Sequence, residues 1–252
     1  MLRSGLETQL ITLSCMFAAG AFYYWRFRTT GTMPIRRVPG LDALDEAVGR
    51  ATEMGRPVHF TTGTGDLVAD TFAAFAVLDY VAGKAAEYRC NLIVSNARPL
   101  IHPITENIVR TAYFMKGCPE AFKPSNIRYH SDSMQAYVSG VWGLMEREKA
   151  SANIMMGYFF AESLLLAEGG SRAGAFQVAG TASTPQLPFF VAACDRTLIG
   201  EELFAAGAYL TGDPVRVGAL MAQDAAKIAS IAVILAGALG LTLGIWLETG
   251  GV

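Results

Sequence analysis

The spacing of apolar positions divides the chain into a periodic middle and two continuous ends. In the middle, Leu41, Leu44, Val48 and Ala51 mark one face of a helix that Gly55 and Pro57 bring to a stop. A short apolar run at 58–61 predicts a strand and 67–88 a long helix. Residues 90–95, with Leu92-Ile93-Val94 at their centre, predict the clearest strand of the chain. A further helix starts at Pro103, whose missing N–H goes unneeded in a first turn, and ends near Gly117. Residues 126–129 read as a weaker strand, and 132–149 as a helix with Tyr137, Val138, Val141, Trp142 and Met145 on its apolar side. Then come a strand at 154–159, a short helix at 161–168 closed by Gly169-Gly170, and strands at 175–179 and 189–193. Glu201 and Glu202 favour the first turn of a helix ending near Leu210. Asp213-Pro214 supplies the N-cap and first-turn pair of a closing helix.

Strands alternating with helices predict an α/β fold: a mainly parallel, Rossmann-like sheet flanked by helices on both faces. The strands are apolar throughout rather than alternating, as expected where both faces of a sheet are covered. No repeat of 20–50 residues and no low-complexity segment interrupts the pattern.

The ends follow another rule. Residues 228–247 run without a charge, and about 20 residues at about 1.5 Å each match a hydrocarbon core of roughly 30 Å. Residues 10–25 are also uncharged and end in Tyr23-Tyr24-Trp25, an interfacial aromatic cluster. Ala19-Gly20-Ala21 resembles a signal-peptide cleavage site, but Glu7 weakens the basic region and Arg26 and Arg28 follow at once, so a retained anchor is expected. Arg26, Arg28, Arg36 and Arg37 follow the first span, against Arg3 before it; Lys227 precedes the second, and Glu248 follows it. Both spans therefore orient the middle of the chain toward the cytoplasm. The expected organisation is an N-terminal transmembrane anchor at 1–28, a linker at 29–40, a cytoplasmic α/β domain at 41–212, and a helix at 213–252 that continues into a C-terminal transmembrane helix. The expected location is the plasma (inner) membrane, with lipid as a partner.

Composition adds little chemistry. The net charge of −2 over 252 residues gives no electrostatic reason to expect nucleic acid. Cys15, Cys90, Cys118 and Cys194 form no zinc or redox spacing, so no metal site is expected and a reduced, cytosol-facing domain fits.

Candidate binding residues come from the strand ends, where open α/β sheets take their ligands. The turn Thr62-Gly63-Thr64-Gly65-Asp66 follows the first strand and could hold a phosphate on its N–H groups. As a dinucleotide fingerprint it fails, because Val68 stands where the third glycine belongs. An ordinary tight turn is the better account of it. The later strand ends add Asn96, Arg98 and His102; His130 and Asp132; Glu162; Thr181 and Ser183; and Asp195. Polar loops are general, however, and Asp132 or Asp195 can serve simply as helix caps. His59, inside a strand, reads as a core residue. Glu162 follows a strongly apolar run, where a carboxylate needs a partner such as Arg98 or Arg172; opening the next helix as an N-terminal acid is the alternative, and the structural role is preferred. No nucleophile, metal or phosphate signature accompanies these residues, and no cofactor is indicated. In the closing span, Ala232, Ala236, Gly240 and Gly244 recur at every fourth position, a stripe that lets another helix backbone approach.

Three strings carry a resemblance: 50–58 (Arg-Ala-Thr-Glu-Met-Gly-Arg-Pro-Val), 162–170 (Glu-Ser-Leu-Leu-Leu-Ala-Glu-Gly-Gly), and 180–195, from Gly-Thr-Ala-Ser-Thr-Pro to Ala-Ala-Cys-Asp. Together with the helix read at 197–210, they resemble an uncharacterised prokaryotic membrane-protein family catalogued as a domain of unknown function. The resemblance implies no activity and assigns no catalytic residue. The leading expectation is a membrane-anchored α/β domain acting as an oligomeric scaffold or accessory subunit of a membrane complex. The alternative is an enzyme or sensor that binds a small phosphorylated ligand or nucleotide at the strand-end rim.

Overall fold

The computed structural model describes residues 6–30, 39–212 and 214–248. Its elements run α1 (Leu6–Thr30), α2 (Pro39–Met54), β1 (Val58–Gly63), α3 (Ala69–Glu87), β2 (Leu92–Asn96) and α4 (Ile101–Met115). They continue through β3 (Ile127–Tyr129), α5 (Met134–Glu148), β4 (Ala152–Tyr158), α6 (Glu162–Arg172) and β5 (Phe176–Thr181). Last come α7 (Leu187–Ala193), β6 (Arg196–Ile199), α8 (Glu201–Thr211) and α9 (Pro214–Glu248). Contacts divide the chain into two compact units, Met1–Pro34 with Gly212–Val252, and Ile35–Thr211.

The larger unit is the expected α/β fold. Six strands form one sheet in the order β3-β2-β1-β4-β5-β6, and every neighbouring pair is parallel. The order reverses between β1 and β4, so the carboxyl ends of these two strands flank the crevice in which such sheets bind ligands. Each face of the sheet buries its own cluster. Val58, Phe60, Leu92, Val94, Ile154 and Val178 pack with residues of α2, α3, α4 and α8. Ile93, Met155 and Ala179 pack with Tyr137, Val141, Leu166 and Phe190 from α5, α6 and α7. At roughly 25 cal/mol per Å² of apolar surface removed from water, this double burial is what drives the sheet to form.

Near the end of the chain's middle the sequence expectation needs correction. Residues 189–193 belong to helix α7, with Pro188 in its first turn, and not to a strand. The sixth strand lies after them, at Arg196–Ile199, inside the segment read as helix. A short apolar run carries no periodicity that separates a buried strand from a buried helix. Gly169-Gly170 does not close α6, which continues to Arg172; Gly174, at φ +68°, follows the helix end.

The smaller unit contains α1 and α9. Helix α9 is continuous over 35 residues, and its segment Pro214–Gly240 is long and apolar enough to cross a membrane. Among the described residues it is the one helix of which this is true. Helix α1 extends unbroken through Ala19-Gly20-Ala21, but its uncharged run at 10–25 is about one turn shorter than a bilayer core requires. The two helices meet through small residues: a Cβ on Gly218 would stand 3.0 Å from the Tyr24 nitrogen, and one on Gly20 would stand 4.0 Å from Ala222 Cβ. An apolar cleft of about 540 Å³ opens beside this contact, lined by Met16, Phe17, Tyr24, Val215 and Ala219 among others. Around Gly20 and Tyr24, helix α1 thus sits against the first turns of α9. Ala232, Ala236 and Gly240 are exposed, and nothing lies within 4 Å of a Cβ built on Gly240. The surroundings of Gly244 and Trp246, together with Asp213, Arg36 and Arg37, on which the expected cap and linker rest, lie outside the described residues.

Candidate functional site

Parallel strands put all their carboxyl ends on one edge, so most of the predicted residues share a rim. They are linked in sequence around it. His130 N–H donates to Asn96 O at 3.1 Å, joining the ends of β3 and β2. Arg98, after β2, donates from Nε to Thr64 O at 3.0 Å and pairs with Asp66 at 3.3 Å, joining β2 to the turn after β1. The Thr64 hydroxyl donates to Glu162 Oε1, joining that turn to the start of α6. Asp70, in the first turn of α3, accepts the Ala182 N–H at 3.0 Å, next to Thr181 at the end of β5. Thr181 is itself buried, and its hydroxyl accepts the Ser183 N–H at 3.1 Å.

Glu162 is the most unusual member. It is fully buried in the first turn of α6, and its Oε1 accepts from Thr64 and from the Phe160 N–H at 3.0 Å. Neither cation expected beside it is its partner: Arg98 is held by Asp66, and Arg172 pairs with Glu168. Oε2 is buried without a partner, as are Thr62 Oγ1 and Asn96 Oδ1. Asn96 nevertheless donates from Nδ2 to Thr105 at 3.0 Å. His102 Nδ1, in the first turn of α4, is a fourth such atom at the strand ends, and a buried polar atom left unpaired costs about 1–3 kcal/mol.

The glycines of the β1 turn answer to packing. Gly63 has φ +82°, and a Cβ there would run into Tyr158 O; on Gly65 it would stand 2.6 Å from Tyr158 Cβ. The Thr64 and Gly65 N–H groups both donate to Tyr158 O, at 3.2 and 3.1 Å, and Gly63 N–H donates to Thr61 Oγ1 at 3.1 Å. Three of the donors proposed for a phosphate are therefore engaged, two by β4 and one within β1, and the turn is tight because two backbones approach there.

Two predicted residues fall elsewhere in role or place. Asp195 precedes β6 and accepts the Gln177 N–H at 2.7 Å, near the start of β5. It therefore lies at the opposite edge of the sheet from the rim. Once 189–193 is a helix, the reason for placing Asp195 after a strand is gone. Asp132 does not cap α5; it accepts the Tyr129 hydroxyl at 2.9 Å, and Ser133 stands at the N-cap.

Below the rim lies a feature that the sequence reading missed. Gln177 Nε2 donates to Ala193 O at 3.3 Å, which turns Gln177 Oε1 toward Asn153 Nδ2 at 3.1 Å. Asn153 Oδ1 in turn accepts from His59 Nδ1 at 2.8 Å. His59 Nε2 is then left to accept the Ser95 hydroxyl at 2.9 Å, and Ser95 Oγ accepts from His130 Nε2 at 3.1 Å. The chain crosses β2, β1, β4 and β5 in one direction, its sense fixed by the carbonyl at its end. Burial lowers the His59 pKa to about 4, with the His130 charge nearby adding to the effect and the Asn153 bond opposing it. His130 is lowered as well, by burial and then by Arg128 and Arg147. Tyr137, from α5, caps the chain: its hydroxyl bonds Thr61 Oγ1 and reaches Ser95 O at 3.5 Å. One signal was available in the sequence. His59, Asn153 and Gln177 are each the second residue of a strand, a polar residue between two apolar neighbours, and the register aligns all three.

No group of three or more metal-ligating side chains occurs among the described residues, and the four cysteines are free. No curated protein and no solved structure matches the chain. Over residues 4–250, however, the sequence matches a family model, and the chain accordingly belongs to the family described as a domain of unknown function, DUF6754.

Proposed function

We propose that this protein is anchored in the plasma (inner) membrane with its α/β unit on the cytoplasmic side, and that it serves as an oligomeric scaffold or accessory subunit of a membrane complex. The observation that carries this reading is the open face of α9. Ala232, Ala236 and Gly240 form a small-residue stripe within an exposed apolar segment, and the contact of α1 around Gly20 and Tyr24 lies upstream, at Gly218 and Ala222. Small residues in register allow close backbone approach between helices in lipid, where packing and not the hydrophobic effect holds helices together. The basic residues flanking both uncharged runs support the orientation. Single-molecule photobleaching of the full chain in native membrane vesicles tests the assembly. Multiple steps are expected for the wild type, with a shift toward single steps for Ala236→Leu with Gly240→Leu. Single-step bleaching of the wild type, with no co-purifying subunit, would sink the reading. For orientation, a fluorescent protein fused after Val252 is expected to stay dark in the periplasm, while alkaline phosphatase fused there is active.

A second reading, a ligand-binding enzyme or sensor, is favoured by one observation: Glu162, Thr62 and Asn96 leave buried polar atoms unpaired at the strand ends beside the β1/β4 switch point. Chemical-shift mapping of rim residues during screening of small polar compounds tests it.

A further inference from the structure

We propose that the strand-end rim takes a ligand with an apolar body and an ammonium head, the head on the Glu162 carboxylate and the body against the apolar collar of the rim; this rests on the ligand-binding reading above. The charge of the head follows from what the rim has left unengaged. Its anion-binding capacity is occupied: the turn N–H groups of Thr64 and Gly65 go to Tyr158 O, and Arg98 goes to Thr64 O and Asp66. The N-terminus of α3, where an anion would be favoured, already carries Asp66 just before it and Asp70 in its first turn. What remains free beside the β1 turn is the second oxygen of Glu162. Glu162 is a fully buried carboxylate that makes no ion pair among the described residues, and its Oε2 has no donor. A buried charge of that kind is stabilised by an opposite charge that also donates hydrogen bonds. An ammonium does both.

The body follows from the loops. After β1, β2 and β4 the chain exposes Val68, Leu100 and Phe160, and Tyr129 is exposed at the end of β3. Phe160 stacks edge-on with Tyr158, which fixes its ring at the crevice. An apolar collar beside a charged group is a common composition of a small-molecule site, and aromatic faces add attraction for a cation. The Thr64 hydroxyl is the side-chain donor now seated on Glu162, so the arriving ammonium takes over its role and the Thr64 side chain turns aside.

The test uses the full chain in non-ionic detergent, with tryptamine as the probe and indole-3-propionate as its anionic counterpart, read by isothermal calorimetry. Tryptamine is expected to bind saturably and at least tenfold more tightly than the acid. Glu162→Gln and Phe160→Ala are each expected to weaken it tenfold or more, while Thr64→Ala, which uncovers the carboxylate, preserves or tightens binding. Thermal melting of each variant checks that it is folded, and Phe160→Ala, at an exposed site, keeps the test decisive if Glu162→Gln fails to fold. Equal or tighter binding of the acid, or tryptamine binding unchanged in Phe160→Ala and in folded Glu162→Gln, overturns the ammonium assignment and leaves the rim as a site. Saturable binding of neither probe, with no small polar compound shifting the rim resonances, overturns both the assignment and the ligand-binding reading.

Discussion

At the scale of single residues, His59 has the clearest measurable consequence. Its imidazole is neutral when folded because burial holds its pKa at about 4, against 6.5 in the unfolded chain. Between those values the unfolded state binds more protons, so stability rises with pH across that window and is complete above about 6.5. On acidification it is lost progressively as the pH falls toward 4. A difference of this size corresponds to about 3 kcal/mol over the window. Urea unfolding midpoints from pH 4 to 7 should therefore slope upward, and His59→Gln should flatten most of that slope; His130 contributes the remainder with the same sign. Gly65→Ala should lower stability by about 1–3 kcal/mol through its clash with Tyr158, and the same denaturation measurement reads it. These residues also show what the sequence concealed. His59 was legible as a core residue, and Glu162 as a carboxylate in need of a partner. The identity of the partners was not, because Thr64 is 98 residues from Glu162 and Asn153 is 94 from His59, contacts that only the strand order and register create.

At the scale of elements, most helices and strands follow from apolar spacing, and the two misassigned elements share one cause. Helix α7 and strand β6 are short, and their apolar runs fit either conformation. The glycines of α6 misled for a different reason. Gly169-Gly170 looks like a helix stop, yet it lies within the helix because nothing larger fits: a Cβ on Gly170 would stand 2.6 Å from Asn153 Nδ2, and one on Gly169 would stand 2.9 Å from the Met145 methyl. Helix α6 comes this close to the sheet directly over the Asn153–Gln177 pair. The usual benefit of replacing a helical glycine by alanine, up to about 1 kcal/mol, should therefore reverse at Gly170 and hold at Gly49 in α2, where nothing lies within 4 Å. Gly170→Ala is expected to lower the melting temperature and Gly49→Ala to raise it or leave it unchanged, a contrast that calorimetry resolves.

At the scale of the whole molecule, fold class and strand alternation were legible, and so was a closing helix apolar enough to cross a membrane. The site was only half legible: the rim residues could be collected by rule, but Asp195 joined them through a misread helix. The hydrogen-bonded row beneath the rim carries a consequence that reaches across the sheet. Every donor in it points the same way, from His130 toward Ala193, so the row stores one bit of orientation and its members reverse together or not at all. Replacing Gln177 by Met removes the acceptor that Asn153 faces. Asn153 then turns its amide toward His59, His59 passes its proton to the other ring nitrogen, the Ser95 hydroxyl swings round, and His130 changes tautomer four strands away. Nitrogen-15 shifts of the three histidines should report that reversal in Gln177→Met, with His102 unmoved: the interior of this sheet behaves as a line of memory whose setting is read at the rim.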